Sequence, residues 1–286
     1  MNYSSAIRFL YRVYPFRKGK NRLRSFAMRH IHGVQIGRDQ FGNRMLLNLD
    51  SLMDCMVYLD GTNELPAMME LQGWVDSCPC DTFIDIGANI GCFSLFFTRH
   101  PKIQKIYAFE PDPSNHAQLV SNIWLNNQQR KVRTFEMALS GESGVAVLFR
   151  PQNRQSDEFS KFNMGTSGLD RYPRRHDQSE KVEVAKRKLD DVLELSGATI
   201  AIKIDVEGHE LSVLMGMKEV LKKNNCGLMM EVWSQNQENA TAVSDLLGGL
   251  GYIRSDSEFE PDTHLYTKRS SPTGTDSSLQ TRLTTV

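Results

Sequence analysis

From Asp81 onward, short apolar runs of strand type alternate with segments whose apolar positions recur every three or four residues. The strand-like runs are TFIDIG at 82–87, KIYAFEP at 105–111, VRTFEMALS at 132–140, TIAIKIDVEG at 199–208 and GLMMEVW at 227–233. Helical spacing fills 91–99, 113–126, 210–222 and 237–250. Such alternation predicts an α/β fold with a mostly parallel, doubly wound sheet covered by helices on both faces. Residues 139–196 break the rhythm. GVAVLF and KVEVAKRKL read as strands, no helix is predicted before Asp190, and a polar segment over 150–180 joins the two. A loop of that length in a compact domain points to function or to disorder.

Ahead of Asp81 the pattern differs. Ile7, Phe9, Leu10, Tyr11, Val13 and Tyr14 lie among arginines, which predicts one amphipathic helix followed by a basic connector within the first thirty residues. Residues 34–60 read as a short hairpin turned at Phe41-Gly42-Asn43 and then a helical stretch. After Lys268 the tail RSSPTGTDSSLQTRLTTV is poor in apolar residues and is expected to be disordered. The expected organisation is a basic N-terminal extension over 1–65, the alternating domain over 66–268 and the tail over 269–286, with no internal repeat.

Charge adds a local feature to this picture. The 34 basic and 34 acidic side chains of the 286-residue chain cancel, so no global field attracts nucleic acid. Yet Arg8, Arg12, Arg17, Lys18, Lys20, Arg22, Arg24, Arg29 and Arg38 fall in a stretch with no acid at all. Interleaved with Phe9, Tyr11 and Tyr14, they predict weak contact with a membrane surface or an acidic glycan. The five cysteines are odd in number and lack paired spacing, which reads as free thiols in a reducing compartment. Cys78-Pro79-Cys80 has no second pair to complete a closed zinc site, so no metal is expected. With no apolar leader segment and no run of roughly 20 apolar residues, a cytoplasmic protein is expected.

The chemistry begins at FIDIGANIGCFSLFF, residues 83–97. A strand that enters a glycine turn and opens a helix is a nucleotide-binding corner. A pyrophosphate would call for Gly-x-Gly-x-x-Gly. Here the spacing is Gly87-x-x-x-Gly91, preceded by the carboxylate of Asp85, which suits a ligand carrying positive charge, such as the ammonium and sulfonium of S-adenosyl-L-methionine. Glu110 ends the next strand, 23 residues after Gly87, where an acid accepts both ribose hydroxyls. It would do so for NAD as well.

These segments, with IYAFEPDPSNHAQLVSNIWLNN, MALSGESG, KLDDVL and IAIKIDVEGHELSVLMGM followed by LMMEVW, resemble the FkbM-type family of S-adenosylmethionine-dependent methyltransferases over roughly residues 81–233. The resemblance implies a Rossmann-like class I methyltransferase fold over 66–268. It also implies a cofactor-binding set: Asp85, Gly87 and Gly91 at the methionine part with Asn89 between them, Glu110 at the ribose, and Met137-Ala138 beside the adenine. Family members act on polyketide and sugar hydroxyls.

KIDVEGHE, Lys203 to Glu210, ends the predicted fourth strand, where ligands of open α/β sheets gather. No Asn- or Asp-Pro-Pro-aromatic signature, such as base-methylating enzymes share, follows Asp205. That disfavours a nucleic-acid base and favours a hydroxyl of a small molecule or glycan as acceptor. His209 is the candidate general base, with Asp205 or Glu207 fixing its tautomer. A divalent cation held by Asp205 and Glu207 is the competing arrangement, and a capped helix start is a third. Asn163-Met164-Gly165-Thr166-Ser167-Gly168 resembles a small-residue patch of the family near the cofactor, Arg171, Arg174, Arg175 and His176 follow it, and Glu231 ends the fifth strand. The reading is an O-methyltransferase. An NAD-dependent oxidoreductase is weakened by the missing third glycine and by Asp85, and a non-catalytic nucleotide-fold binding module by the acid-rich KIDVEGHE segment.

Overall fold

The computed structural model describes residues 3–15, 17–62, 64–151, 168–169, 179–232, 236–256 and 262–268. The Asn163–Ser167 part of the small-residue patch, the basic cluster from Arg171 to His176 and the 269–286 tail lie outside them. In chain order the elements are α1 (Tyr3–Val13), α2 (Arg17–His30), β1 (Val34–Arg38), β2 (Arg44–Asn48), α3 (Leu52–Asp60) and α4 (Leu65–Ser77). Next come β3 (Thr82–Ile86), α5 (Cys92–Thr98), β4 (Lys105–Phe109), α6 (Pro113–Leu125), β5 (Val132–Phe135), β6 (Ala138–Leu139), β7 (Gly144–Pro151), β8 (Gly168–Leu169) and β9 (Ser179–Arg187). The chain continues through α7 (Leu189–Val192), β10 (Thr199–Ile204), α8 (Glu210–Met215), α9 (Lys218–Lys223), β11 (Asn225–Glu231), α10 (Gln237–Gly249), β12 (Tyr252–Asp256) and β13 (Thr263–Lys268).

Seven strands make the central sheet in the order β12-β13-β11-β10-β3-β4-β5. β13 runs antiparallel to both of its neighbours, and the pairs from β11 to β5 are parallel. All five residues of β3 are buried, as a strand paired on both edges and covered on both faces requires. The period of two along each strand divides the core. Phe83, Ala201 and Met229 face a cluster that includes Phe97, Leu119, Met45 and Ile7. Ile84, Ile202 and Leu228 face the opposite cluster with Leu189, Leu214 and Leu247. Asp85 and Lys203 are partners in register, so both sit on the Phe83 side of the sheet.

Four differences from the sequence pattern have local causes. The N-terminal stretch holds two helices with Pro15 between them, because proline has no amide hydrogen to continue a helix. VRTFEMALS divides after Phe135: β6 leaves the central sheet and pairs with β9 in a second sheet ordered β6-β9-β7-β8. The segment 210–222 is two short helices, interrupted at Gly216, where a Cβ would stand 2.0 Å from the Ser140 carbonyl oxygen. β12 and β13 complete the sheet from a region with no assigned strand.

The hairpin of β1 and β2 is attached to the α/β domain by side-chain amides of α6. Asn126 accepts from the Arg44 amide (2.8 Å) and donates to its carbonyl (2.7 Å). Asn122 accepts from Leu46 N (2.6 Å) and donates to Ile90 O (2.9 Å), and Gln118 donates to Leu46 O (2.8 Å). Three amides on one helix face therefore replace a neighbouring strand along β2. Asn122→Ala is expected to destabilise the protein by about 2–3 kcal/mol, because it leaves the Leu46 N–H and the Ile90 carbonyl without that partner. Urea unfolding measures the loss, and a variant within about 0.5 kcal/mol of wild type would show that the contact is not structural.

Candidate active site

Two adjoining cavities open beyond the C-terminal ends of β3, β4 and β10. Gly87, Asn89, Glu110, Ala138 and Val206 line the first, and Leu148 and Leu169 of the second sheet close it. The second is walled by Met53, Val57 and Glu64 from the N-terminal elements, and by Phe93, Lys203 and Glu231. Asn89, Asp205 and Glu207 line both. Strand ends on either side of β3 diverge here, because the chain runs from β3 to β4 in one direction and returns through β10 in the other.

The glycine turn is bonded to its neighbours on both sides. The amides of Gly87 and Ala88 donate to Phe109 O (3.0 and 2.9 Å), and Asp205 N donates to Ile86 O (3.0 Å). Gly87 has φ +76°, and a Cβ there would lie 1.8 Å from the Asp205 carbonyl oxygen. Only glycine lets the two strand ends meet so closely. Lys203 holds the junction as well, donating from Nζ to Gly87 O (2.8 Å) and to Asp205 Oδ2 (3.1 Å). Burial alone would lower the Lys203 pKa, but the carboxylates of Asp205, Glu64 and Asp85 more than reverse that, so the ammonium stays charged.

Glu110 is the acid of the first cavity. It is 5% exposed, and its Oε1 and Oε2 accept from Asp112 N (2.9 Å) and Asn89 N (2.8 Å). Burial pushes its pKa up to about 7, against the pull of those two amides. Asp112 is the N-cap of α6, accepting from Ser114 N and Asn115 N, and is paired with Arg150 of β7. That pair ties the second sheet to the turn after β4.

The expected site residues divide into two groups. Gly87, Asn89, Glu110, Ala138, Asp205 and Glu207 lie on cavity walls. Asp85, Gly91 and His209 do not. Asp85 is fully buried behind the turn, where Oδ2 accepts from Ser94 Oγ (2.6 Å) and burial raises its pKa. Gly91 is the N-cap of α5, with φ +92°, and a Cβ there would strike Leu119 at 2.6 Å, so its part is packing. His209 precedes α8 with Nε2 3.1 Å from Ser140 Oγ, itself 3.0 Å from Ser212 Oγ. Its imidazole contacts the segment after β6, and Glu210 beside it accepts from Gly208 N (2.7 Å) and Asn239 Nδ2 (3.0 Å). Glu207, by contrast, has φ +53°, a left-handed conformation uncommon outside glycine, on the wall shared by the two cavities.

Met53, Val57 and Glu64 had no signal as site residues: an apolar helix face and an acid before Leu65-Pro66 look like ordinary folding features. Among the described residues no three His, Cys, Asp or Glu side chains converge to hold a metal ion. No described helix is long and apolar enough to cross a membrane.

Residues 85–254 match the model of the methyltransferase FkbM domain. The chain is 28% identical over 211 residues to methyltransferase sdnD of Sordaria araneosa, covering 66% of this chain and 81% of that protein. It is 29% identical over 207 residues to the 31-O-demethyl-FK506 methyltransferase FkbM of Streptomyces tacrolimicus, covering 64% and 73%. Among solved structures, the methyltransferase FkbM of Methylobacillus flagellatus KT aligns with a TM-score of 0.45 at 18% identity, over 66% of this chain and 44% of that one. The glycine turn, the acid after β4 and the segment after β10 all lie within the matched residues, and the chain belongs to the FkbM methyltransferase family.

Proposed function

We propose that the protein transfers a methyl group from S-adenosyl-L-methionine to a hydroxyl oxygen of a small molecule or glycan. The observation that carries this reading is the pair of adjoining cavities with Asp205 and Glu207 on the shared wall. The residues of the first cavity suit the cofactor. A carboxylate offers about four acceptor positions. Glu110 spends two on Asn89 N and Asp112 N, leaving two for the ribose diol. Gly87 keeps its turn bare, Ala138 and Leu148 offer apolar surface for the adenine, and Asn89 reaches from this cavity into the second.

When bound, the cofactor supplies a methyl group made electrophilic by the sulfonium. The chain then has to align an acceptor oxygen with it and take the hydroxyl proton. Glu207 is our candidate for the proton acceptor, since it lines both cavities and its backbone is held in a left-handed conformation of the kind stored at functional sites. Lys203 is a positioning residue, fixing Asp205 and the Gly87 carbonyl in one arrangement. A hydroxyl acceptor also agrees with the O-demethyl substrate named for the Streptomyces tacrolimicus relative. Hydride transfer from a nicotinamide cofactor finds no support in a methyltransferase family.

Calorimetric titration tests the cofactor directly. Both S-adenosylmethionine and its demethylated product are expected to bind once per chain, and NAD not at all. Absence of binding by either sulfur compound would overturn the reading.

A further inference from the structure

We infer that the N-terminal helix pair docks the protein onto an anionic phospholipid surface. The apolar residues of α1 form one broad arc opposite Arg8 and Arg12, and only one edge of that arc is buried. With about 3.6 residues per turn, Ser4, Ile7 and Tyr11 form the side buried against the core. Phe9, Leu10 and Val13 lie away from it, 57%, 57% and 54% exposed, and Tyr3 is 62% exposed. A helix that only covers a core needs an apolar stripe no wider than its buried edge, so the exposed part of the arc has no folding role. Phe26 of α2 adds another exposed ring.

The charges around this face select the occupant. Nine basic residues and no acid occur before Asp39. Arg24 is neutralised by Asp60 (3.1 Å), and Arg8 is spent internally, donating to Arg38 O (2.8 Å) over the Tyr58 ring. Arg22 and Arg29 are exposed, and so are Arg12 and Arg38, although these two also donate to Leu59 O (3.3 Å) and Gly42 O (2.8 Å). Apolar side chains that enter the acyl boundary, flanked by arginines that meet phosphate and carboxylate headgroups, fit an interfacial helix on anionic lipid. Because the whole chain has no net charge, the attraction is local and orients the molecule with α1 toward the bilayer.

Co-sedimentation of the full chain with vesicles tests this, using phosphatidylcholine alone and phosphatidylcholine mixed with phosphatidylserine, at low and high salt. Binding is expected on the mixed vesicles at low salt, with partition falling about tenfold at high salt and on neutral vesicles. The surface variants Phe9→Ser/Leu10→Ser/Val13→Ser and Arg22→Glu/Arg29→Glu should each lower partition about tenfold while unfolding at the wild-type temperature. No binding to the mixed vesicles at low salt, equal binding to both vesicle types, or undiminished binding by either variant would overturn the inference. A lipid-free dimer that the triple serine variant dissociates would instead assign the face to a second copy of the chain.

Discussion

Glu207→Gln is expected to retain S-adenosylmethionine affinity and to lose roughly 10²–10⁴-fold in turnover, the usual range for removing a general base. The amide keeps the size and the acceptor oxygen of the side chain but cannot take a proton, so the loss should fall on the rate and not on binding. His209→Ala provides the contrast. Its imidazole is engaged with Ser140 and lines neither cavity, so turnover close to wild type is expected. Transfer of labelled methyl to whichever hydroxyl acceptor the wild type uses measures both variants. The opposite outcome, a large loss in His209→Ala and a small one in Glu207→Gln, would return the base to the histidine and refute the assignment to Glu207.

The second large effect belongs to Glu110. Glu110→Ala would remove the two charge-assisted hydrogen bonds proposed to the ribose, each worth about 1.5–3 kcal/mol, so cofactor affinity should fall by about 10²–10⁴-fold. The raised pKa makes the same contact sensitive to pH. Above about 7 the buried group is a carboxylate and accepts both hydroxyls; below it, protonation removes acceptor capacity. Affinity should therefore rise with pH through neutrality and level off, and Glu110→Gln should show weak, pH-independent binding. In the unliganded protein the sign is reversed. A carboxyl raised from 4.5 to about 7 by burial favours the folded state at low pH, and this contribution, on the order of 3 kcal/mol, is lost as pH rises through 7. Titrations at several pH values decide the matter, and a flat affinity profile for the wild type would remove Glu110 from the ribose.

The alternating part of the chain was legible because both of its periods are strong. β3, β4, β10 and β11 are short β-rich apolar runs with helices between them, and each occurs where the pattern places it. Where a strand is two residues long, as in β6, no period exists to read, and the partner that makes it a strand lies about fifty positions away in β9. β12 and β13 were missed for a related reason: Tyr252–Asp256 alternates only weakly, and pairing defines both strands. The cavity residues followed the same division. Glu110 and Gly87 could be named because one strand and its turn place them. Asp85 could be seen as a special acid, but not that it points behind the turn toward Ser94. His209 and Glu207 are two residues apart, and only the backbone angles after β10 determine which of them meets the cavities.

Met53, Val57 and Glu64 wall the second cavity, yet all three precede residue 85, where the match to the family begins. Met53 and Val57 belong to α3 and Glu64 caps α4, and the hairpin before them is held by the amides of Gln118, Asn122 and Asn126, outside the strands that carry Gly87, Glu110 and Asp205. Substitutions at Met53, Val57 or Glu64 can thus reshape one wall of the second cavity without touching the strand ends that bear Gly87, Glu110 and Asp205. Whatever fills the second cavity therefore meets a surface that membership of the family does not by itself specify.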